Sequence, residues 1–217
     1  GYRVLNGYMQ ENYQHLHYSA RMDEFTITYV GSLYHTQPIE IILDGVKEFV
    51  DTQHPENFKL LFVGLRNNMD AYERVHQYMR GYERYVDYTE RVTKNEAIEI
   101  QHRSDVLIIC THVGMKGTPG SKMYEYIALK KRVMVCPGDG DIVEETLSAT
   151  GQGYILKDVK AVAKFLGEKY QDYLMGVSPE TEMNRCAMSQ YDRKRQTEIL
   201  AELMDGARSK EQGARSK

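Results

Sequence analysis

Gly114 to Leu129 reads GMKGTPGSKMYEYIAL, with three glycines and a proline ahead of a helical pattern that begins near Gly120 or Ser121. A helix start exposes unpaired N–H groups and a partial positive charge, which suits a phosphate. Lys122 adds a full cation in the first turn, and Glu125, three residues on, shares its face of the helix. Such a cation and carboxylate would let one segment hold phosphates and a pair of sugar hydroxyls. The same residues also fit a plain reading, a capped helix carrying a surface Lys–Glu pair worth a few tenths of a kcal/mol (~0.2–0.5). Spacing alone leaves both readings open.

These residues need elements to position them. Phe25–Gly31 (FTITYVG) and Phe58–Gly64 (FKLLFVG) are short apolar runs ending in glycine, as buried strands do. Between them, Gln37 to Asp51 places Ile39, Ile42, Leu43, Val46 and Val50 on one helical face. Met69–Met79 predicts a helix, Tyr88–Val92 a weak third strand, and Lys94–His102 a helix with Ala97, Ile98 and Ile100 inward. Asp105–Cys110 is the strongest strand, and Val133–Cys136 follows another helix. A strand at Gly153–Ile155, a helix near Val159–Tyr173 and a long helix near Glu182–Met204 complete the pattern. Strands alternating with helices, and apolar on both faces, predict an α/β fold: a doubly wound, Rossmann-like parallel sheet. Ligands bind such sheets beyond the carboxyl ends of the strands. The loops after Gly31, Gly64, Cys110 and Cys136 are therefore where a site is expected.

Bulk properties narrow the function. Lys and Arg number 28 against 31 Asp and Glu, a net charge of −3, which argues against a nucleic-acid-binding surface. No run approaches the ~18 apolar residues of a membrane-spanning helix. The first thirty residues hold no apolar leader core, so a cytoplasmic chain is the expectation. Three cysteines without a CxxC or zinc-type spacing predict neither a disulfide scaffold nor a metal centre. Cys110 and Cys136 read as small core residues, His112 as a hydrogen-bonded loop histidine near the site, and the five tyrosines from Tyr72 to Tyr88 as a face packed on the sheet. Gly138–Gly140 is expected to rim the site, with Glu144 and Glu145 on a solvated helix. Residues 1–23 read as a hinge or strap, 24–205 as the binding domain, and 206–217, with GARSK occurring twice, as a polar frayed tail.

The segment TPGSKMYEYIA at 118–128, followed by RVMV at 132–135, resembles the "PSKLFEYLA-x-G-KPV" signature of the C-terminal domain of B-type, family 4-like glycosyltransferases. The resemblance continues in order along the chain. Asn6–Tyr8 is similar to the hinge that opens that domain, and the runs at Phe25 and Phe58 to its first two strands. RVTKNEA from Arg91 and SDVLI from Ser104 resemble the elements before the signature, and YDRKRQT from Tyr191 resembles the start of the closing helix. The resemblance spans roughly residues 4–205. It implies that Glu125 hydrogen-bonds the ribose hydroxyls of a nucleotide-sugar donor and that Lys122 lies close to the diphosphate, with no divalent metal required. The site it implies comprises Gly31, Ser32, Leu33, Arg66, Thr118, Gly120, Ser121, Lys122 and Glu125, with no catalytic group assigned.

Two positions depart from the pattern. The acid that often contacts the donor sugar, eight positions before the ribose acid, is Gly117 here. The arginine that often follows the first-strand glycine is Ser32, with Arg66 as a substitute. The resemblance further implies an acceptor domain before residue 1, through which the protein would meet a membrane surface, and a role in building cell-surface polysaccharide. A sugar-nucleotide 2-epimerase of the same fold and a non-catalytic nucleotide-binding module are the rival readings.

Overall fold

A computed structural model of the chain describes residues 6–13, 16, 21–117, 119–177 and 183–215, with 205–215 as backbone only. Six parallel strands form one sheet: β1 Phe25–Val30, β2 Phe58–Val63, β3 Val86–Tyr88, β4 Val106–Ile109, β5 Arg132–Val135 and β6 Gly153–Ile155. Their order is β3-β2-β1-β4-β5-β6. Phe25 to Val30 lie level with Phe58 to Val63, Ile27 with Val106, and Val106 with Arg132. The predicted parallel sheet is therefore present, and every strand points its carboxyl end to the same edge.

Alternation along the strands divides the core between the two faces. Phe25, Ile27 and Tyr29 of β1, with Val106 and Ile108 of β4, join one cluster with α1 (Glu40–Gln53), α2 (Met69–Tyr78) and α6 (Val159–Leu174). Leu107, Val133 and Val135 face the other way, onto α3 (Lys94–Arg103), α4 (Ser121–Ala128) and α5 (Ile142–Ala149). Thr28 on that second face is fully buried, and its hydroxyl pairs with Ser104 Oγ at 2.7 Å. Local signals set several helix starts. Asn68 caps α2, Thr93 and Glu96 form a reciprocal capping box on α3, and Asp158 caps α6. Among the described residues, no helix is long and apolar enough to cross a membrane.

Four expectations need correction. The third strand is Val86–Tyr88 rather than Tyr88–Val92, because Val86 and Tyr88 supply the apolar alternation while 89–93 loops toward the Thr93 cap. In α3 the buried residues are Ala97, Ile98 and Gln101, with Ile100 only half-buried. The helix predicted near Glu182–Met204 is two helices, α7 (Arg185–Ser189) and α8 (Arg193–Arg215). A break at Gln190–Asp192 lets Tyr191 turn into the core, and the backbone of Asp192 bridges to Tyr8. Arg193 then donates to Gly7 O (3.0 Å) and Asn6 Oδ1 (2.7 Å). In the segment 1–23, expected as a hinge or strap, residues 6–8 thus contact the start of α8, while residues 1–5, 14, 15 and 17–20 lie outside the described part. Helix α8 continues to Arg215, where a frayed tail was expected, through Ala, Arg, Lys and Glu residues that favour helix.

The five tyrosines between Tyr72 and Tyr88 pack against the first core cluster, and the hydroxyls of Tyr78 and Tyr82 donate to Asp44 (2.8 Å) and Asp51 (2.7 Å) on α1. Helices α1 and α6 meet so closely at Gly45 that a Cβ there would stand 2.4 Å from Val162 Cβ. A helical Gly→Ala change normally stabilises by roughly 0.5–1 kcal/mol. Overpacking of this kind costs about 1–3 kcal/mol, so Gly45→Ala is expected to lower stability by about 1–2 kcal/mol in urea unfolding. A stabilised variant would contradict this packing.

Candidate functional site

The site is built where strand order reverses. Strands β1 and β4 are neighbours whose following connections leave in opposite directions, and the crevice between them lies at the carboxyl edge. Gly31 ends β1 with φ +105°, a conformation open to glycine and strained for other residues. Its N–H donates to Val63 O at 3.1 Å. Ser32 follows in the cleft wall. Leu33, also predicted at the site, turns its side chain into the core at 2% exposure, which leaves only its backbone at the turn.

The loop after β1 is held from within. Gln37, almost fully buried, accepts from Tyr34 N–H (2.9 Å) and donates to Cys110 O (2.5 Å) at the end of β4. Tyr29 donates to Ser32 O at 2.9 Å. Arg74 on α2 reaches Gln37 O (2.9 Å) and Tyr34 O (3.2 Å) while pairing bidentately with Glu40 at 2.6 Å. Burial opposes ionisation of Glu40, but the Arg74 hydrogen bonds, a backbone hydrogen bond and the Arg74 charge together outweigh it and hold the carboxyl below its ordinary value. His112 is hydrogen-bonded as expected: its Nδ1 meets Thr36 Oγ1 at 2.6 Å.

Across the crevice stands the start of α4. Gly120 is its N-cap, and no side chain caps it. Lys122 Nζ and Glu125 Oε2 are 2.9 Å apart and partly exposed, so the plain ion-pair reading is realised. Both residues also border the crevice, facing the Gly31–Ser32 turn. Two chambers meet there and share Val30, Gly31, Ser32 and Lys122. One, of about 540 Å³, is polar and lined by Asn67, Asn68, Arg91, Thr93, Lys94 and Glu125. The other, of about 390 Å³, runs past Gly120, Ser121 and Lys122 to Tyr34, His112, Met115, Asp139 and Val143. Thus Gly31, Ser32, Gly120, Ser121, Lys122 and Glu125 come together, while Thr118 lies outside the described residues.

Arg66 does not join them. Gly64, at φ +85°, turns the chain after β2 into a short helical turn, Leu65–Asn67, which aims Arg66 at the face of Tyr72, 5.8 Å away. Arg66 lines a different hollow with Tyr72, His76 and Glu83. The arginine in the crevice is Arg91, on the loop after β3. It escaped notice because the third strand was expected over Tyr88–Val92, which would have placed Arg91 inside a strand. Gln37 carries no motif; a polar residue just before an apolar helical face was the only signal available.

At Gly117, where the resemblance would put an acid, the backbone has φ +70° and the N–H donates to Asp141 Oδ2 at 2.6 Å. Asp139, in the rim loop predicted at Gly138–Gly140, accepts from the N–H groups of Asp141, Val143 and Glu144. Glu144 accepts from Gly140 N–H at 2.8 Å. Among the described residues, no group of three or more His, Cys, Asp or Glu side chains is placed to hold a metal ion.

Cys110 borders the crevice, yet burial pushes its thiol up to about 12, and that of Cys136 to about 11. The thiolate is the nucleophile, so neither is reactive near neutrality. An alkylating reagent at pH 8 is expected to label exposed Cys186 and spare both until unfolding, as peptide mass mapping would read. The Lys122–Glu125 pair yields a second expectation. Glu125→Gln releases Lys122 and should tighten inorganic pyrophosphate binding about two- to fivefold at low salt, matching the ~0.3–1 kcal/mol of an exposed pair. Calorimetry showing no gain would place the anion elsewhere.

No protein-family model matches this sequence, and no curated protein matches it. Solved structures do. A glycosyltransferase from Rickettsia africae superposes with a TM-score of 0.68 at 13% identity, over 92% of this chain and 55% of its own. HepE of Anabaena, solved in complex with UDP, gives 0.68 at 15% identity over 94% and 57%. A protein assigned as a UDP-N-acetylglucosamine 2-epimerase, from Listeria monocytogenes, gives 0.59 at 13% identity over 87% and 46%. At these identities the likeness is one of fold: the chain has the Rossmann-like fold of the C-terminal domain of B-type glycosyltransferases. It spans little more than half the length of the Rickettsia africae and Anabaena chains.

Proposed function

We propose that this chain is the donor-binding half of a two-domain glycosyltransferase, taking a nucleotide-sugar in the crevice between β1 and β4. The observation that carries this reading is the convergence of the Gly31–Ser32 turn, the uncapped start of α4, Lys122 and Glu125 on one cleft edge. Glu125 accepts two hydrogen bonds from the ribose hydroxyls. Lys122, the α4 start and the Gly31 turn take the diphosphate and offset charge on the departing nucleotide. Arg91 replaces Arg66 as the arginine of the site. The protein's own groups hold the diphosphate, so no metal enters the proposal. The acceptor binds to a second domain outside this chain, and the transfer builds a cell-surface glycan on the cytoplasmic side.

One observation favours a second reading. His112 and Asp139 line the chamber beyond Lys122, and an epimerase of this fold would present such groups to its sugar. The Asp139 carboxylate already accepts three backbone N–H groups that tie it to the start of α5, which leaves the transferase reading in front.

The isolated chain is expected to bind a nucleoside diphosphate without transferring sugar, because turnover needs a held acceptor and a water-poor cleft. In calorimetry, Glu125→Ala should weaken ribonucleotides by about 1.5–3 kcal/mol and erase the preference for ribose over deoxyribose. Lys122→Ala should weaken diphosphates more than monophosphates, with an effect that shrinks at high salt. Unchanged ribose preference in Glu125→Ala would remove its role, and sustained transfer by this chain alone would overturn the half-enzyme reading.

A further inference from the structure

The two chambers differ in chemistry, and the difference bears on what the nucleotide carries. If Glu125 holds ribose in the polar chamber and the diphosphate sits at the shared wall of Gly31, Ser32 and Lys122, the transferred group must enter the other chamber. This inference rests on the donor-site reading above. The second chamber is walled by Val30, Ile109, Met115, Met123 and Val143. Most of its polar groups are already engaged. Gln37 spends its amide on Cys110 O and Tyr34 N–H, Thr111 Oγ1 donates to Pro137 O at 2.9 Å, and the Tyr29 hydroxyl donates to Ser32 O. The Asp139 carboxylate accepts the N–H groups that open α5. Position 117, on the adjoining loop, is glycine.

Beyond Lys122 and the Ser32 and Ser121 hydroxyls, which the donor reading gives to the diphosphate, two side chains of this chamber are able to serve a ligand. His112 has its Nδ1 fixed by Thr36, leaving Nε2, and the Tyr34 hydroxyl has no partner among the described residues. Their rings lie 5.5 Å apart, on one side of the mouth. An unmodified hexose brings hydroxyls around its whole rim. Each one buried without a partner weakens binding roughly tenfold or more, whereas a methyl set against apolar side chains strengthens it roughly fourfold. A site also discriminates most strongly when a mismatch leaves a polar group unpaired.

We infer that the donor sugar carries a methyl-bearing substituent in place of a hydroxyl, seated against Met115 and Val143, with His112 and Tyr34 meeting the polar atoms on the open side. Two sugar types share this chemistry, an acetamido sugar and a 6-deoxy sugar. His112 Nε2 separates them, since only the acetamido group offers a carbonyl oxygen.

The experiment uses the chain itself. Calorimetry first identifies which of uridine, guanosine and adenosine diphosphate binds. For that nucleotide, the unmodified hexose conjugate is then compared with the acetamido and 6-deoxy conjugates. A methyl-bearing conjugate is expected to bind on the order of tenfold tighter than the unmodified one. Met115→Gln, at a half-exposed position that tolerates a polar side chain, should cut that ratio at least threefold. His112→Ala should reduce it for the acetamido conjugate alone if that is the true ligand, and leave it if the deoxy sugar is. An unmodified hexose that binds as tightly as both overturns the inference while leaving the donor site intact. A ratio unmoved by Met115→Gln also overturns it. Failure of every nucleoside diphosphate to bind instead removes the donor-site reading, and this inference with it.

Discussion

Between β1 and β4 the chain reverses the direction in which it adds strands, and the crevice this opens is the condition for everything at the sheet's carboxyl edge. A parallel sheet buried on both faces sends all its connections over the top as crossovers, so loops distant in sequence converge there. The reversal leaves one gap between them. Gln37 bridges its floor, tying the loop after β1 to the end of β4, and Arg74 braces that loop from α2. The backbone facing the crevice is thus fixed by side chains whose own hydrogen bonds are made within the protein.

The fold was largely legible because its signals are local and redundant. FTITYVG, FKLLFVG and DVLIIC each carry an apolar run, and the intervening helices carry clear faces. What escaped was set by neighbours. Three-residue β3 has too little pattern to fix its own register, and a small shift of its end hid Arg91. Tyr191 breaks the last helical run because the core has room for its ring, a fact no helical period contains. Gln101 and Gln37 are buried polar residues, chosen by the gaps around them. Among the residues that border the crevice, Gly31, Lys122 and Glu125 were legible from glycine placement and helix-start chemistry. Arg66 was not, since its direction depends on the left-handed turn at Gly64.

Lys122 and Glu125 were open to two readings, a surface pair or a ligand-binding pair, and the geometry reconciles them. With no ligand, each is the other's partner at 2.9 Å, which keeps a partly buried carboxylate and an ammonium satisfied. A ligand with phosphate at one end and a diol at the other offers both residues a replacement at once. A ligand with only one of those groups must leave one residue unpaired. Under the proposed donor-site reading, the pair would itself be a filter for molecules that combine the two.

Both outer strands of the sheet, β3 and β6, are only three residues long. An unpaired strand edge is a template on which a second chain can grow, and long flat edges invite aggregation. Here the exposed rows of backbone groups are too short to hold a foreign strand in register. At β3, Asp87 adds a charge and draws Lys59 to 3.3 Å. The margins of the sheet thereby offer a second chain little template for pairing, and the longest rows of backbone groups lie in its interior.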